Sequence, residues 1–489
     1  MFSSSIILSN VLRLCEFIKK SYRESLIYTN LKKSLFSTRD LYERSTILQT
    51  IKNRDIEVSI QNSIILNSVK NYKAIPSNLG KLVNKSSILK YLMENNIIFY
   101  NFIFILIILP FAPTTVSVGL VGMEIILIIF GNSFRKDSFH YPKAYLLFLS
   151  IFIVSILMGS IFNIDFVRGL ELSIIYIISI GFGALLPFIR IDRHKLELLL
   201  KAIIFTTTIL CLYGLYQFIF GVSINEGWTD TAFGANVVRI YSTFGNPNVF
   251  GEYLVLTIPI IFGFFIHEEK HISKFFHFLI LVLAIANLFM TFSRGSILGL
   301  IIALFIIIVL KMPEYLPIGL ILMVLVLFFL PQSLLERILS IFSRKDTSTS
   351  YRRAIYGGSI NMLRNYHIQG VGLGQFKQIY KLYAFKDAIS FHAHNTYLMI
   401  YIELGILGIA SFLLMILTWS RNIFSALKYK SDKINIFSIS IFAGIIGCSI
   451  QGIVDHIWHN YTILLMYFIL LGLGCASVSI AKEAGGSDG

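Results

Sequence analysis

The residues best suited to chemistry stand directly in front of an apolar run. The stretch SFHAHNTYLMIYIELGILGI, residues 390–409, sets His392, His394 and Asn395 at the entry to a long apolar helix. An imidazole titrates near neutrality, so a histidine kept neutral here can take a proton from a hydroxyl. His394 falls at the first turn, where the positive end of the helix dipole disfavours protonation and attracts an anion. Asn395 suits a helix cap or a hydrogen bond to a ligand. His392, two residues earlier, reads as a solvated loop histidine and a poorer base. Glu403 lies about two turns inside the run, is costly there unless paired, and is expected to orient a neighbouring span or an arginine. Other polar groups gather in RIYSTFGNPNVFGEYL (Arg239, Asn246), TFSRGSILGL (Arg294), IQGIVDHIWHN (Asp455, His456, His459) and YRRAIYGGSINMLRNYHIQGVGLGQF (Arg352, Arg353).

The elements that must hold these groups are membrane helices. The chain has 489 residues, 55% hydrophobic and 14% charged, with a mean hydropathy of +0.73. Its apolar residues come in runs of roughly 17–25, the length that spans a bilayer. Twelve spans are expected, at 97–112, 115–131, 143–161, 169–189, 202–220, 248–266, 275–291, 295–310, 315–330, 395–419, 435–454 and 460–480. With residues 1–95 inside, the inner loops hold Arg135, Lys136, Lys143, Arg190, Arg193, Lys195, Lys201, Lys270, Lys274, Lys311, Arg421, Lys428, Lys430 and Lys433. The short outer loops hold only Arg168, Arg239 and Arg294, which is the asymmetry of the positive-inside rule. Both termini are therefore expected in the cytoplasm, and the formal charge of +15 reads as topology, with no nucleic-acid partner.

Two regions lie outside the spans. In residues 1–95 a serine followed by an apolar-polar helical pattern recurs from Ser5, Ser25, Ser45, Ser63 and Ser87. Short basic amphipathic helices capped by serine would lie on an anionic inner leaflet. No signal-peptide pattern is present. Residues 331–394 form the one long loop between spans, on the outer face, and its size favours a binding or lid element. It opens with PQSLLERILSIF, apolar on one helical side. Its GVGLG, residues 370–374, lacks the βαβ frame of a nucleotide loop and reads as a glycine turn that permits close packing. The four cysteines, Cys15, Cys211, Cys448 and Cys475, have neither metal spacing nor an exposed pair. No Asp-x-Asp pair occurs, so no metal is expected.

STFGNPNVFG, TFSRGSILGL, YRRAIYGGSINMLRNYHIQGVGLGQF and above all HAHNTYLMIYIELGILGI, in that order, resemble the O-antigen ligase and polymerase family over residues 97–480. The resemblance implies an all-α, GT-C-like polytopic membrane domain over 96–485, with amphipathic helices of the outer loop above the site. It implies a glycosyltransferase that moves or polymerises an undecaprenyl diphosphate-linked glycan onto a hydroxyl acceptor, with inversion by direct displacement and no cofactor. The implied partners are that lipid-linked oligosaccharide donor, a glycan or lipid-linked acceptor, membrane lipids and envelope polysaccharide assembly proteins, at the inner (cytoplasmic) membrane of a bacterium.

The leaving diphosphate gathers negative charge, which an always-charged, planar arginine suits. Arg294 and Arg352 match the family's arginines, Arg352 because it stands four residues before Tyr356; Arg239 is third. His394 is then the base that deprotonates the acceptor. Asn246, Asn395, Asp455 and Glu403 bind substrate or orient the others, Asp455 by neutralising an arginine, by contacting the acceptor, or as a structural ion pair. The competing class is a polytopic transporter, which would show ionisable residues and broken spans at the midplane.

Overall fold

The structure is a computed structural model, and it describes residues 2–30, 95–133, 142–189, 191–221, 239–329, 347–385, 388, 390–427 and 432–486. The serine-led segments from Ser45, Ser63 and Ser87, and PQSLLERILSIF, lie outside the described residues. Every described element is a helix: α1 (Phe2–Arg23), α2 (Asn95–Ile108), α3 (Thr114–Ser133), α4 (Lys143–Ile161), α5 (Phe166–Leu185), α6 (Arg193–Phe220), α7 (Pro247–His267), α8 (His271–Met290), α9 (Arg294–Lys311), α10 (Leu316–Phe329), α11 (Thr347–Tyr366), α12 (Phe376–Tyr380), α13 (Thr396–Ala426), α14 (Asp432–Gln451) and α15 (Tyr461–Gly486). Short 3₁₀ turns occupy Leu186–Ile189 and Pro313–Tyr315.

The protein is thus an all-α, multi-pass membrane protein. Among the described residues nine helices are long and apolar enough to cross a membrane: α4 to α9 and α13 to α15. The other three expected spans correspond to shorter apolar helices, Ile97–Ile108, Thr114–Ile129 and Pro313–Leu322. All twelve expected spans thus fall on described apolar helices, nine of them long enough by this measure. A backbone crossing lipid must satisfy its own hydrogen bonds, which is why the long apolar runs are helices throughout.

The chain divides into two compact units, residues 1–70 with 304–336, and residues 71–303 with 337–489. In the first, α1 lies against the 313–315 turn: Lys19 Nζ donates to the Tyr315 hydroxyl at 2.8 Å and Arg23 pairs with Glu314 at 3.2 Å. The second holds the site. Its centre is α7, α14 and α15, whose spanning windows are 83%, 89% and 94% buried inside the protein, whereas that of α8 is 22% buried and faces outward. Glycines let these helices meet backbone to backbone: a Cβ on Gly183 of α5 would stand 2.1 Å from the Phe468 carbonyl of α15, and one on Gly447 of α14 would stand 2.5 Å from the Gly299 carbonyl of α9. Small residues at such crossings bring dispersion contacts that replace the hydrophobic drive missing in lipid.

Local sequence fixes where the helices begin. Asp165 and Asp192 accept the Arg168 and Lys195 N–H groups at 3.0 and 2.8 Å, capping α5 and α6. Asn246 accepts the Asn248 N–H at 2.8 Å with Pro247 in the first turn of α7, and Asn395 accepts the Leu398 N–H at 2.9 Å to cap α13. Each supplies an acceptor to a helix end that has none of its own. α11 and α12 form a cap over the start of α13. Ile355 and Met362 of α11, Phe376, Ile379 and Tyr380 of α12, and Met399 and Ile402 of α13 share one buried apolar cluster.

Candidate active site

Three loop-to-helix junctions meet at one end of the second unit. They lead into α7, α9 and α13, and each carries a non-glycine residue in the left-handed region: Ser242 at φ 51°, Phe292 at 54° and His394 at 47°. Such a backbone costs about 1–3 kcal/mol and persists where its surroundings enforce it, most often at functional sites. For Ser242 the enforcing group is the buried Gln217, whose Oε1 accepts the Ser242 N–H at 2.7 Å while its Nε2 donates to the Ser242 carbonyl at 2.9 Å. The common neighbour of the junctions is the turn that follows α14. Thr396 N–H donates to the Gly452 carbonyl at 2.7 Å, Thr396 Oγ1 donates to the Asp455 carbonyl at 3.1 Å, and a Cβ on Gly295 would meet Val454 at 3.0 Å.

In that turn Asp455 faces His394. The Asp455 Oδ1 to His394 Nδ1 distance is 3.2 Å, with side chains 12% and 24% exposed. A carboxylate only accepts, so the shared proton sits on Nδ1 and the lone pair of His394 is on Nε2. Burial alone would raise the Asp455 carboxyl, but the hydrogen bond from His394, its charge whenever the imidazole is protonated, and the nearby Arg352 hold it well below the usual carboxylate range. It also accepts from Asn248 Nδ2 at 2.9 Å and from the His456 N–H at 2.9 Å. Asn248 is oriented in turn, because its Oδ1 accepts from Arg239 Nη2 at 3.0 Å and its amide donors must then point to Asp455. Arg239 Nε donates to the Thr291 carbonyl at 3.0 Å. A continuous chain of polar contacts thus runs Arg239, Asn248, Asp455, His394.

Across the imidazole stands the cap. The Tyr356 hydroxyl donates to the His394 carbonyl at 2.9 Å. Arg352, one turn earlier on the same helix and half-buried, has no hydrogen bond or ion pair among the described residues, although its charge reaches Tyr356, His392 and Asp455. A guanidinium so placed, near the N-terminus of α13, suits the binding of an anion.

His392 packs against the histidines around the dyad. Its ring centroid is 4.1 Å from that of His394 and 5.0 Å from that of His459. It is half-buried, and burial together with the neighbouring His394 pushes its imidazole down to about 3. His392 is therefore neutral at pH 7. His456 is fully enclosed and is likewise pushed far down, by burial and then by His392.

The cluster also has the composition of a cation site. His392, His394 and Asp455 bring one ligand-capable atom each within 4.8 Å of one another. The Nδ1 atoms of both histidines are hydrogen-bonded: the His394 N–H donates to His392 Nδ1 at 3.2 Å, and His394 Nδ1 faces Asp455.

The structure brings His394, His392, Asp455, Arg239 and, through its charge, Arg352 together. Arg294 opens α9 beside the same turn. The amides of Asn246 and Asn395 serve as caps, and Asn395 Nδ2 also donates to the Ile453 carbonyl at 2.8 Å. Glu403 Oε1 accepts the Gly374 N–H of the cap at 2.8 Å. Sequence reasoning passed over Asn248, whose signal is its place two residues after a cap that already satisfies the helix end. It also passed over Glu124 and Glu252, both 2% exposed within spans.

Residues 279–413 match the family described as O-antigen ligase. That stretch includes Arg294, Arg352, His394 and Glu403; Arg239, Asn248 and Asp455 lie outside it. No curated protein matches the chain.

Proposed function

Since residues 279–413 match the O-antigen ligase family, we propose that the chain is a membrane glycan-processing enzyme, which transfers a glycan from an undecaprenyl diphosphate carrier to a hydroxyl acceptor on the outer face of the cytoplasmic membrane. The observation that carries this reading is the Asp455–His394 pair beside an arginine that has no protein partner among the described residues. The acceptor oxygen attacks the anomeric carbon and its proton passes to His394 Nε2. The bond from that carbon to the diphosphate oxygen breaks, and the electron pair leaves on the diphosphate. Asp455 holds the imidazole in the tautomer that exposes Nε2 and stabilises the imidazolium that forms, as the carboxylate of a serine-protease triad does. Arg352 and Arg294, with the N-termini of α9 and α13, counter the growing charge on the leaving group. Direct displacement inverts the anomeric centre.

No step calls for a metal, since the proton goes to an imidazole and the charge to guanidinium groups. The test is purified protein with an undecaprenyl diphosphate-linked oligosaccharide, followed by chromatography for longer or transferred glycan and for free undecaprenyl diphosphate. Product should form at the same rate in EDTA. Activity lost to chelation and restored by Mg²⁺ or Mn²⁺ would replace the arginine account of leaving-group stabilisation. The rival reading is a polytopic carrier, favoured by Glu124 and Glu252 buried within spans. A carrier leaves the donor intact in the same assay.

A further inference from the structure

The long helix that begins beside His394 is broken, and the break is filled by the cap. Within α13 only Gly405 departs from helical geometry, at φ 67° and ψ −167°. An unbroken helix would close bonds from residues 406 and 407 back to the carbonyls of Ile402 and Glu403. Here the Ile402 carbonyl accepts the Val371 N–H at 2.8 Å, the Glu403 carbonyl accepts the Gly372 N–H at 3.0 Å, and the Ile406 N–H donates to the His367 carbonyl at 2.9 Å. The helix has exchanged its own bonds for bonds to the segment between α11 and α12, so these two carbonyls and the Ile406 N–H keep partners. The Glu403 side chain adds a further bond from the same place, Oε1 accepting the Gly374 N–H at 2.8 Å.

The segment has no room to stand elsewhere. A Cβ on Gly370 would lie 2.4 Å from the Glu403 carbonyl oxygen, one on Gly372 would lie 2.8 Å from the Gly159 carbonyl oxygen, and one on Gly405 would lie 2.1 Å from the Ile368 carbonyl oxygen. On the far side Asn163, between α4 and α5, donates to the Leu373 carbonyl at 2.7 Å. GVGLG is thus clamped between the α4–α5 corner and the gap in α13. α11, which carries Arg352, ends at Tyr366, immediately before this clamp. His394 precedes the other side of it, on the helix that holds Glu403.

We propose that Glu403 is a positioning residue, which clasps the glycine segment into the broken helix and thereby fixes where the cap holds Arg352 relative to His394. The clasp works through an acceptor oxygen at the reach of a glutamate, and it touches no substrate. This rests on the reading of Arg352 and His394 as anion clamp and base, so one of its tests is independent of the reaction.

Three variants separate the possibilities. Glu403→Gln keeps an oxygen at the same reach, Glu403→Asp withdraws it by about one methylene, and Glu403→Ala removes it. Each is reconstituted with the extracellular side of the cap outward, and trypsin cleavage at the exposed Lys381 is followed alongside the thermal midpoint of the whole protein. Glu403→Ala and Glu403→Asp should be cut at least tenfold faster than wild type with an unchanged midpoint, whereas Glu403→Gln should be cut at the wild-type rate. In glycan transfer, Glu403→Ala should raise the KM for the lipid-linked donor and lower kcat by at least tenfold, and Glu403→Gln should recover half or more of both. Equal protection of Lys381 in all three variants overturns the clasp. So does a Glu403→Gln variant as inactive as Glu403→Ala, since the group would then act as an acid. If no variant nor wild type transfers glycan while the trypsin pattern is as stated, the clasp stands and the reaction assigned to the site is what fails.

Discussion

At the scale of single residues the reading turns on one proton. His394→Ala should lower glycan transfer by roughly 10²–10⁴-fold, the range of a general base, and Asp455→Asn should fall in the same range by offering the imidazole the wrong partner. Asn248→Ala removes one donor to a carboxylate, about 1.5 kcal/mol, and should cost roughly tenfold. His392→Ala should be far milder, and Arg352→Lys, which keeps the charge without the planar fork, should slow transfer and weaken donor binding. Transfer at the wild-type rate by Asp455→Asn would remove the dyad from the mechanism. A second expectation concerns stability. His392 titrates at about 3 in the folded protein and near 6.5 when unfolded, so the unfolded chain binds more protons between those values. Its contribution is complete above pH 6.5 and is lost as the pH falls toward 3, on the order of 1–2 kcal/mol at pH 5. Asp455, held below its usual range, contributes above its unfolded value near 3.9 and is unaffected in this window. The thermal midpoint in detergent should therefore drop from pH 7.5 to pH 5, and less so in His392→Gln; identical pH profiles would exclude His392 as the source. The sequence made His394 legible because a base before an apolar run is conspicuous. Its pairing with Asp455 was not legible, since the partners are 61 residues apart and only the packing of α13 against the turn after α14 joins them.

At the scale of elements, helix starts were legible where a capping side chain marks them, as at Asn246 with Pro247 and at Asn395. The break at Gly405 was not, because apolar residues continue on both sides of it and its cause is the backbone of residues 367–372, met only after the cap has folded back. The close approach of α5 and α15 was equally silent, since a glycine on an apolar helix does not announce which neighbour it admits. It gives a matched test. Gly183→Ala places a Cβ 2.1 Å from the Phe468 carbonyl, while Gly181→Ala on the same helix meets nothing closer than Ile125 Cδ1 at 3.8 Å. Forcing two packed backbones apart should cost about 1–3 kcal/mol. Thermal unfolding in detergent should therefore show a lowered midpoint for Gly183→Ala and a midpoint at or above wild type for Gly181→Ala, where a helix former replaces glycine. Equal midpoints would mean that the crossing is looser than its geometry.

At the scale of the whole molecule the second unit has two chemically different ends. One holds the dyad and the starts of α7, α9 and α13. The other holds the 268–270 turn joining α7 to α8, the start of α6 and the start of α14, where Glu197 pairs with both Lys201 and Lys433. Arg193, Lys195, Lys270 and Lys274 belong to that second end by their places in these helices. This charge distribution extends the asymmetry seen in the sequence to a folded unit, and the positive-inside rule is the basis for proposing that the basic end is cytoplasmic and the site outside. Orientation matters to the proposed chemistry, since a lipid-linked glycan built for export would be available only on the face where His394 opens. Gln378 on the cap and Glu269 in the α7–α8 turn are both exposed and stand at opposite ends of the unit. With Cys15, Cys211, Cys448 and Cys475 replaced, a single cysteine at Gln378 should react with an impermeant maleimide in intact spheroplasts. One at Glu269 should react only after the membrane is permeabilised. Labelling of Glu269 alone in intact spheroplasts would turn the molecule over, place His394 and Asp455 in the cytoplasm, and require a donor that has not yet crossed the membrane.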